Sequence, residues 1–254
     1  MRDVSQSSKK TTGLPIEQVL EELEQLVLED LDPHASLPAE GELAQRLGVS
    51  RLTVREAIKI LNGRGLVEVR QGRPPRVAEP NSQLISSYFS AMLRREPRGL
   101  FELLEVRQSL EVQSAILAAR RCSRGTVAAL DSMLQTMREA TTEDEFNHAD
   151  VQFHEILAMA SGNRMLAFLV EALETPLRDS FVKSLQGSLW RGGAFEQTIA
   201  RHAAIVACIR ERDEEGAADA ARMVLKQAEL DLKAALRQPD AVDGASVGTR
   251  GTTQ

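Results

Sequence analysis

The stretch ASLPAEGELAQRLGVSRLTVREAIKILNGRGLVEVRQGRPPRV, Ala35 to Val77, constrains the chain more than any other. Leu37-Pro38 opens a helix, because proline pre-sets the helical φ. That helix runs to Leu47. Gly48 follows where helices often end in the left-handed conformation. Val49 is apolar and plugs the turn. Ser50 is a good N-cap for a second helix. In that helix Val54, Ala57, Ile58 and Leu61 recur at i, i+3, i+4 and i+7, the spacing of a buried stripe. Arg51, Arg55, Lys59 and Asn62 share one polar, basic face. Gly63 and Gly65 end the helix. Leu66 to Arg70 then reads as a strand, Gln71 to Pro75 as a tip, and Arg76-Val77 as the returning strand.

Two short helices joined by a tight turn and followed by a β-wing can set the second helix into the major groove of DNA. Arginine suits that role, since its guanidinium pairs in bidentate fashion with guanine O6 and N7. Ser50 and Thr53 stand at a helix N-terminus, where hydroxyls and the helix dipole favour phosphate. The bland alternative is a solvated basic helix face in some other helical domain. The charge distribution weighs against it. The chain carries a net charge of −6, yet from Arg46 to Arg76 eight basic residues face two acidic ones. A local patch of this kind, not the global charge, is the footprint of phosphate contact.

The remainder reads as helix. Aromatics are 4% of the chain, and Trp190 and Tyr88 are each the sole residue of their type. A Leu/Ala/Glu/Arg-rich sequence of that kind favours helices. A first helix is expected from Pro15 to Leu31. Further helices are expected near 82–93, 99–122, 124–140, 143–161, 163–185, 194–212 and 214–237, with a Gly-rich break from Gly187 to Gly193 and Trp190 as a loop anchor. The fold class is mainly α: a winged helix-turn-helix over 14–78, a linker over 79–82 and an all-helical antiparallel bundle over 83–238. The polar tails 1–13 and 239–254 are expected to be disordered. No run of 18 apolar residues exists, so no membrane partner is expected. Without a signal-peptide core, the chain reads as cytoplasmic, with Cys122 and Cys208 as buried thiols.

The residues of the opening stretch carry a resemblance. L-P-A-E-G-E-L-A, G-V-S-R, V-R-E-A, G-L-V and G-R-P-P-R-V resemble, in register, the winged helix-turn-helix of the GntR family of bacterial transcription regulators, over about residues 15–78. The resemblance implies DNA contacts from Arg51, Thr53, Arg55 and Gly72. Ser50, Lys59 and the wing residue Arg73 complete the expected DNA-binding set. Two positions depart from the family pattern. Gly41 stands where an arginine is usual, and Leu52 where threonine is common. Both bear on which operator is read.

In the second half the clearest chemistry is Asp150-Val-Gln-Phe-His154. Asp and His four apart share a helix face and can reach one ion. His202 lies on a later helix. An Asp/His/His set suits Zn²⁺, Ni²⁺ or Mn²⁺. A buried hydrogen-bonded pair explains the same spacing equally simply. His148 points to another face and reads as solvated. The segments Glu105 to Glu111, Asp150 to Leu157, Arg201-His202 and Arg222-Met-Val-Leu225 resemble the FCD effector domain of GntR regulators, over about residues 82–237. The resemblance implies metal ligands at Asp150, His154 and His202. It also implies a fourth on the last helix, where this chain has Val224. It further implies that Arg107 pairs with an effector carboxylate, and that the neighbourhood of Asn163 borders the effector cavity, which makes Asn163 an effector-binding candidate; the residue itself, after Gly162, reads first as a helix start. The residues alone leave Arg107 open to a salt bridge with Glu105 or Glu111.

Together these readings describe an effector-responsive DNA-binding regulator, a repressor released from a double-stranded operator by a small carboxylate. It would act as a homodimer on a pseudo-palindromic site. Two other readings stand beside it. One is a constitutive DNA-binding dimer with a vestigial effector site. The other is a metal-dependent enzyme built on the Asp/His/His set, which lacks an obvious general base beside it. No enzymatic activity is expected.

Overall fold

A computed structural model describes residues 14–96, 98–121, 123–190 and 195–237. The expectations made for both tails and for Cys122 lie outside the described residues, as does the side chain of Trp190. The chain divides into two compact units between Leu84 and Ile85.

The first unit begins with α1, Ile16–Gln25, which runs on through a π turn at Leu26–Asp30. Its apolar face (Val19, Leu20, Leu23, Leu26 and Val27) is buried against the two helices that follow. The second helix, α2, is Glu40–Leu47 and starts later than the sequence suggests. Leu37-Pro38 does not open it, because this segment is drawn into the wing. Ser36 bridges Arg76, and the Leu37 N–H donates to the Pro75 carbonyl at 2.8 Å. Gly48 closes α2 at φ 65°, a conformation open to glycine without penalty. Ser50 then caps α3, Arg51–Gly63, by accepting from the Thr53 N–H. Val54, Ala57, Ile58 and Leu61 are the buried residues of α3, as their spacing predicts. The ribbon is shorter than expected. Only Val67–Glu68 (β1) and Arg76–Val77 (β2) pair, antiparallel, with Val67 opposite Val77. Beyond Glu68 the ladder gives way to a side-chain contact, where Asn62 Oδ1 accepts from the Val69 N–H.

The second unit is helical throughout its described residues. Its helices are α4 Gln83–Arg95, α5 Gly99–Arg121, α6 Arg124–Glu139, α7 Glu143–Ala160, α8 Arg164–Trp190, α9 Phe195–Glu211 and α10 Glu214–Leu236. The starts of α6, α7 and α10 are capped by Ser123, Thr142 and Asp213, each side chain accepting from an N–H three residues on. Phe146, Phe153 and Leu157 of α7 fill the core against Leu130 and Leu134 of α6 and Ile205 and Ile209 of α9. The helix α10 packs along α5, α8 and α9.

The sequence predicts that α8 ends near residue 185 and that a loop starts at Gly187. The helix instead continues to Trp190. Gly187 serves a close approach: a Cβ there would stand 1.9 Å from the backbone carbonyl oxygen of Asp231 on α10. No helix in the described residues is long and apolar enough to cross a membrane.

Candidate functional site

The first unit presents a basic face. Arg51, Arg55 and Lys59 lie along α3 and are exposed, with Thr53 half-buried among them. The Ser50 hydroxyl accepts from the Thr53 N–H at 3.1 Å and lies 2.9 Å from the Thr53 hydroxyl, which fixes both at the start of the helix. Arg55 is held by Glu40 of α2 through two forked contacts, Nε to Oε1 at 3.0 Å and Nη2 to Oε2 at 2.6 Å. That pairing holds the Glu40 carboxyl below the usual range, the Arg55 hydrogen bond outweighing partial desolvation. Lys59 pairs more loosely with Glu56 at 3.0 Å. Gly72 turns the wing tip at φ 73°, with exposed Arg73 beside it. Gly41, where the family resemblance implies arginine, leaves room that Arg51 takes. A Cβ at Gly41 would stand 3.0 Å from Arg51 Nη2. Leu52 is 64% exposed on the same helix and packs into no core.

A cavity opens in the second unit between α5, α7, α8, α9 and α10, about 580 Å³ with the open space of its mouth included. Asp150, His154 and His202 meet in its wall, with one ligand atom from each within 4.8 Å of the others. His202 Nε2 lies 3.2 Å from His154 Nε2 and 3.2 Å from Asp150 Oδ1. Behind each imidazole stands an oxygen. His202 Nδ1 is 2.8 Å from the Thr198 carbonyl. His154 Nδ1 is 2.6 Å from Glu111 Oε2, an electrostatic contact rather than an aligned hydrogen bond.

These outer oxygens set the tautomers. An imidazole whose Nδ1–H faces a carbonyl or carboxylate turns its Nε2 lone pair the other way. Burial lowers the pKa of His202, more than the Asp150 charge raises it, so its ring is neutral. Burial alone would raise the Glu111 carboxyl, but Arg107 and His154 outweigh it and hold it at about 2. Glu111 is therefore a buried carboxylate that favours a proton on His154 Nδ1. Two Nε2 lone pairs and Asp150 Oδ1, a buried oxygen with no hydrogen-bond partner, converge on one point. Such a donor set fits a divalent cation of the borderline class. Val224 of α10 also lines the cavity, apolar where a fourth ligand would stand.

The structure separates the other expected site residues. Arg107 lines the cavity, but its Nε is bound to Glu111, and its guanidinium lies 4.4 Å over the Phe181 ring. The salt bridge is thus the one to Glu111, not Glu105. Asn163, expected to border the cavity, is exposed and lies outside its lining. Its Oδ1 accepts from the Met165 and Leu166 N–H groups at 3.1 and 3.3 Å, which makes it the cap of α8. His148 is exposed, as its helix face implies. Two parts of the site escaped the sequence reading, Glu111 as the support of His154 and the Thr198 carbonyl behind His202. The four-residue spacing of Arg107 and Glu111 was the available sign of the first.

Comparison with known proteins gives a matching picture. A family model described as bacterial regulatory proteins, gntR family, matches residues 15–77. A second, the FCD domain, matches residues 102–227. The chain is 32% identical over 203 residues to the Glc operon transcriptional activator of Escherichia coli K12, covering 77% of this chain and 80% of that protein. It is 29% identical over 206 residues to the galactonate operon transcriptional repressor of the same strain, covering 79% and 89%. Among solved structures it resembles a GntR protein of Streptococcus agalactiae at a TM-score of 0.68 and 27% identity, covering 85% of this chain and 99% of that one.

Proposed function

The chain belongs to the gntR family of bacterial regulatory proteins and carries an FCD domain, and from that premise we propose that it is a repressor released from its operator by a small carboxylate. Its kin are DNA-binding transcription regulators, not enzymes. The helix α3 reads the major groove, with Arg51, Thr53 and Arg55 toward bases or phosphates, Ser50 and Lys59 toward the backbone, and Gly72-Arg73 at the wing. As a homodimer it meets two half-sites of a pseudo-palindrome.

The observation that carries the effector reading is the convergence of Asp150, His154 and His202 in the wall of a partly polar cavity. Concave sites with a few convergent polar groups take small ligands. Asp150, His154 and His202 would hold a divalent ion. The ion would supply a Lewis-acidic point for an oxygen of the effector. A ligand that favours one arrangement of the helical unit shifts the DNA-binding equilibrium by its differential affinity. The vestigial-site alternative draws its support from Val224 alone.

Gel shift with the upstream region of the chain's own gene tests the whole reading. Binding should be salt-sensitive and should weaken when the right carboxylate is added. Salt-insensitive or absent binding at every fragment refutes DNA reading. Binding that tightens with the ligand would make the protein an activator or co-repressed regulator instead.

A further inference from the structure

We propose that Arg201 and Asn147 are donors to the effector's carboxylate in this cavity. The inference rests on reading the cavity as the effector site.

Arg107 is buried at 7% exposure and is held by Glu111, itself 1% exposed and ionised. The contact runs through Arg107 Nε, and the same carboxylate also stands behind His154. Arg107 thus helps to position His154 through Glu111.

Arg201 is different. It lines the same cavity from α9, one residue before His202, and is half-buried. No carboxylate among the described residues lies within ion-pairing distance of it. Its one hydrogen-bond contact is a long one, 3.5 Å, to the Thr198 hydroxyl. A guanidinium withdrawn from water without a carboxylate is under-satisfied, and a bidentate carboxylate is the ligand its fork matches.

Asn147 supplies an independent sign. It lines the cavity from α7, and its amide nitrogen is shut off from solvent with no hydrogen-bond partner. Buried donors in folded proteins are satisfied almost without exception, so an orphan on a residue that lines a cavity marks a place for an acceptor. Arg201 and Asn147 are both donors in search of oxygen. The Asp150/His154/His202 cluster, in the same cavity, offers only acceptors. The cavity thus offers donors for an anionic head and acceptors for a cation with its own oxygen ligand. A small carboxylate with a second oxygen-bearing group, such as a hydroxy acid, satisfies both.

The test uses the full-length protein loaded with Zn²⁺ and three probes: L-lactate, L-malate and D-gluconate. Each is measured by calorimetry and thermal shift, with lactamide as the neutral counterpart. At least one acid should bind the natural chain and be preferred over the amide. Arg201→Gln should weaken that acid by roughly tenfold or more and abolish the preference for charge, since a charge-assisted pair is lost. Asn147→Ser should weaken it less and keep the preference. Arg201→Lys should retain part of both, and it serves as the reporter if Arg201→Gln does not fold. Unchanged affinity and charge preference in both Arg201 variants overturns the assignment and leaves the effector cavity standing. Failure of all three acids to bind the natural chain overturns the cavity reading and this assignment together.

Discussion

His154 and His202 face each other through their Nε2 atoms at 3.2 Å, each with an oxygen behind its Nδ1. Two lone pairs held that close repel unless a proton or a cation lies between them. Chelation with EDTA should therefore lower the melting temperature of protein purified with its metal, and Zn²⁺ or Ni²⁺ should restore it. At a hundredfold excess over Kd the gain is about 2.7 kcal/mol. His202→Ala should abolish the response. Val224→His, placed where the cavity wall is apolar, should tighten binding by roughly tenfold or more in a chelator competition. A melting temperature indifferent to metal in the natural chain would rule out the cation.

Along α3, the contacts made in the unbound structure separate folding from DNA reading. Ser50→Ala removes the cap of α3 and should cost about 1 kcal/mol, read by thermal melting. Lys59→Ala should leave melting unchanged. It should weaken binding to all DNA fragments alike and lower the salt slope by about one counterion. Arg55→Ala should also weaken DNA binding. Glu40→Gln, which breaks the fork that orients Arg55, should alter the ranking of operator variants as well as overall affinity. An unchanged ranking would show that Glu40 does not position Arg55 on DNA.

Glu155 carries a pH signature. Burial first, then the hydrogen bond and the charges of Glu174 and Glu171, raise its carboxyl from 4.5 to about 7. Between those values the folded chain holds a proton that the unfolded chain has released. This contribution to stability is complete below pH 4.5 and is lost as pH rises through 7. Lowering the pH from 8 to 6 should thus raise the melting temperature. Glu155→Gln should raise it at pH 8 and flatten the dependence. A natural chain with no rise over that window would contradict the raised carboxyl.

Gly187→Ala should destabilise the helical unit by about 1–3 kcal/mol, because the new methyl meets the α10 backbone rather than a movable side chain. Chemical denaturation reads the loss. An alanine variant as stable as the natural chain would mean that α8 and α10 can separate freely.

The sequence was informative where local chemistry decides the outcome. Gly48, Ser50 and the Val54–Leu61 stripe act within one turn of themselves, so the reading helix is legible from a few letters. It failed where a distant partner decides. Pro38 is a good helix opener, but the Leu37 N–H is claimed by Pro75 across the wing. Gly187 signals a break by propensity, yet helix packing overrides it. Asn163 after Gly162 reads as a helix start, and its capping bonds bear that out, whereas the cavity placement that the resemblance implies does not hold. The Asp150/His154/His202 cluster was legible as a grouping because i, i+4 spacing places Asp150 and His154 together and only His202 had to arrive from elsewhere. Its outer support was not, because a backbone carbonyl such as that of Thr198 has no letter of its own.

The glycine at 187 also sets how closely two walls of the cavity approach. Ser184, Leu185 and Ser188 line it from α8, and Val224, Leu225, Ala228 and Asp231 from α10. These two walls meet where Gly187 approaches the Asp231 carbonyl, backbone on backbone. The gauge of the chamber is thus set by a side chain that is missing outside its lining, and any Cβ there would have to push the two walls apart.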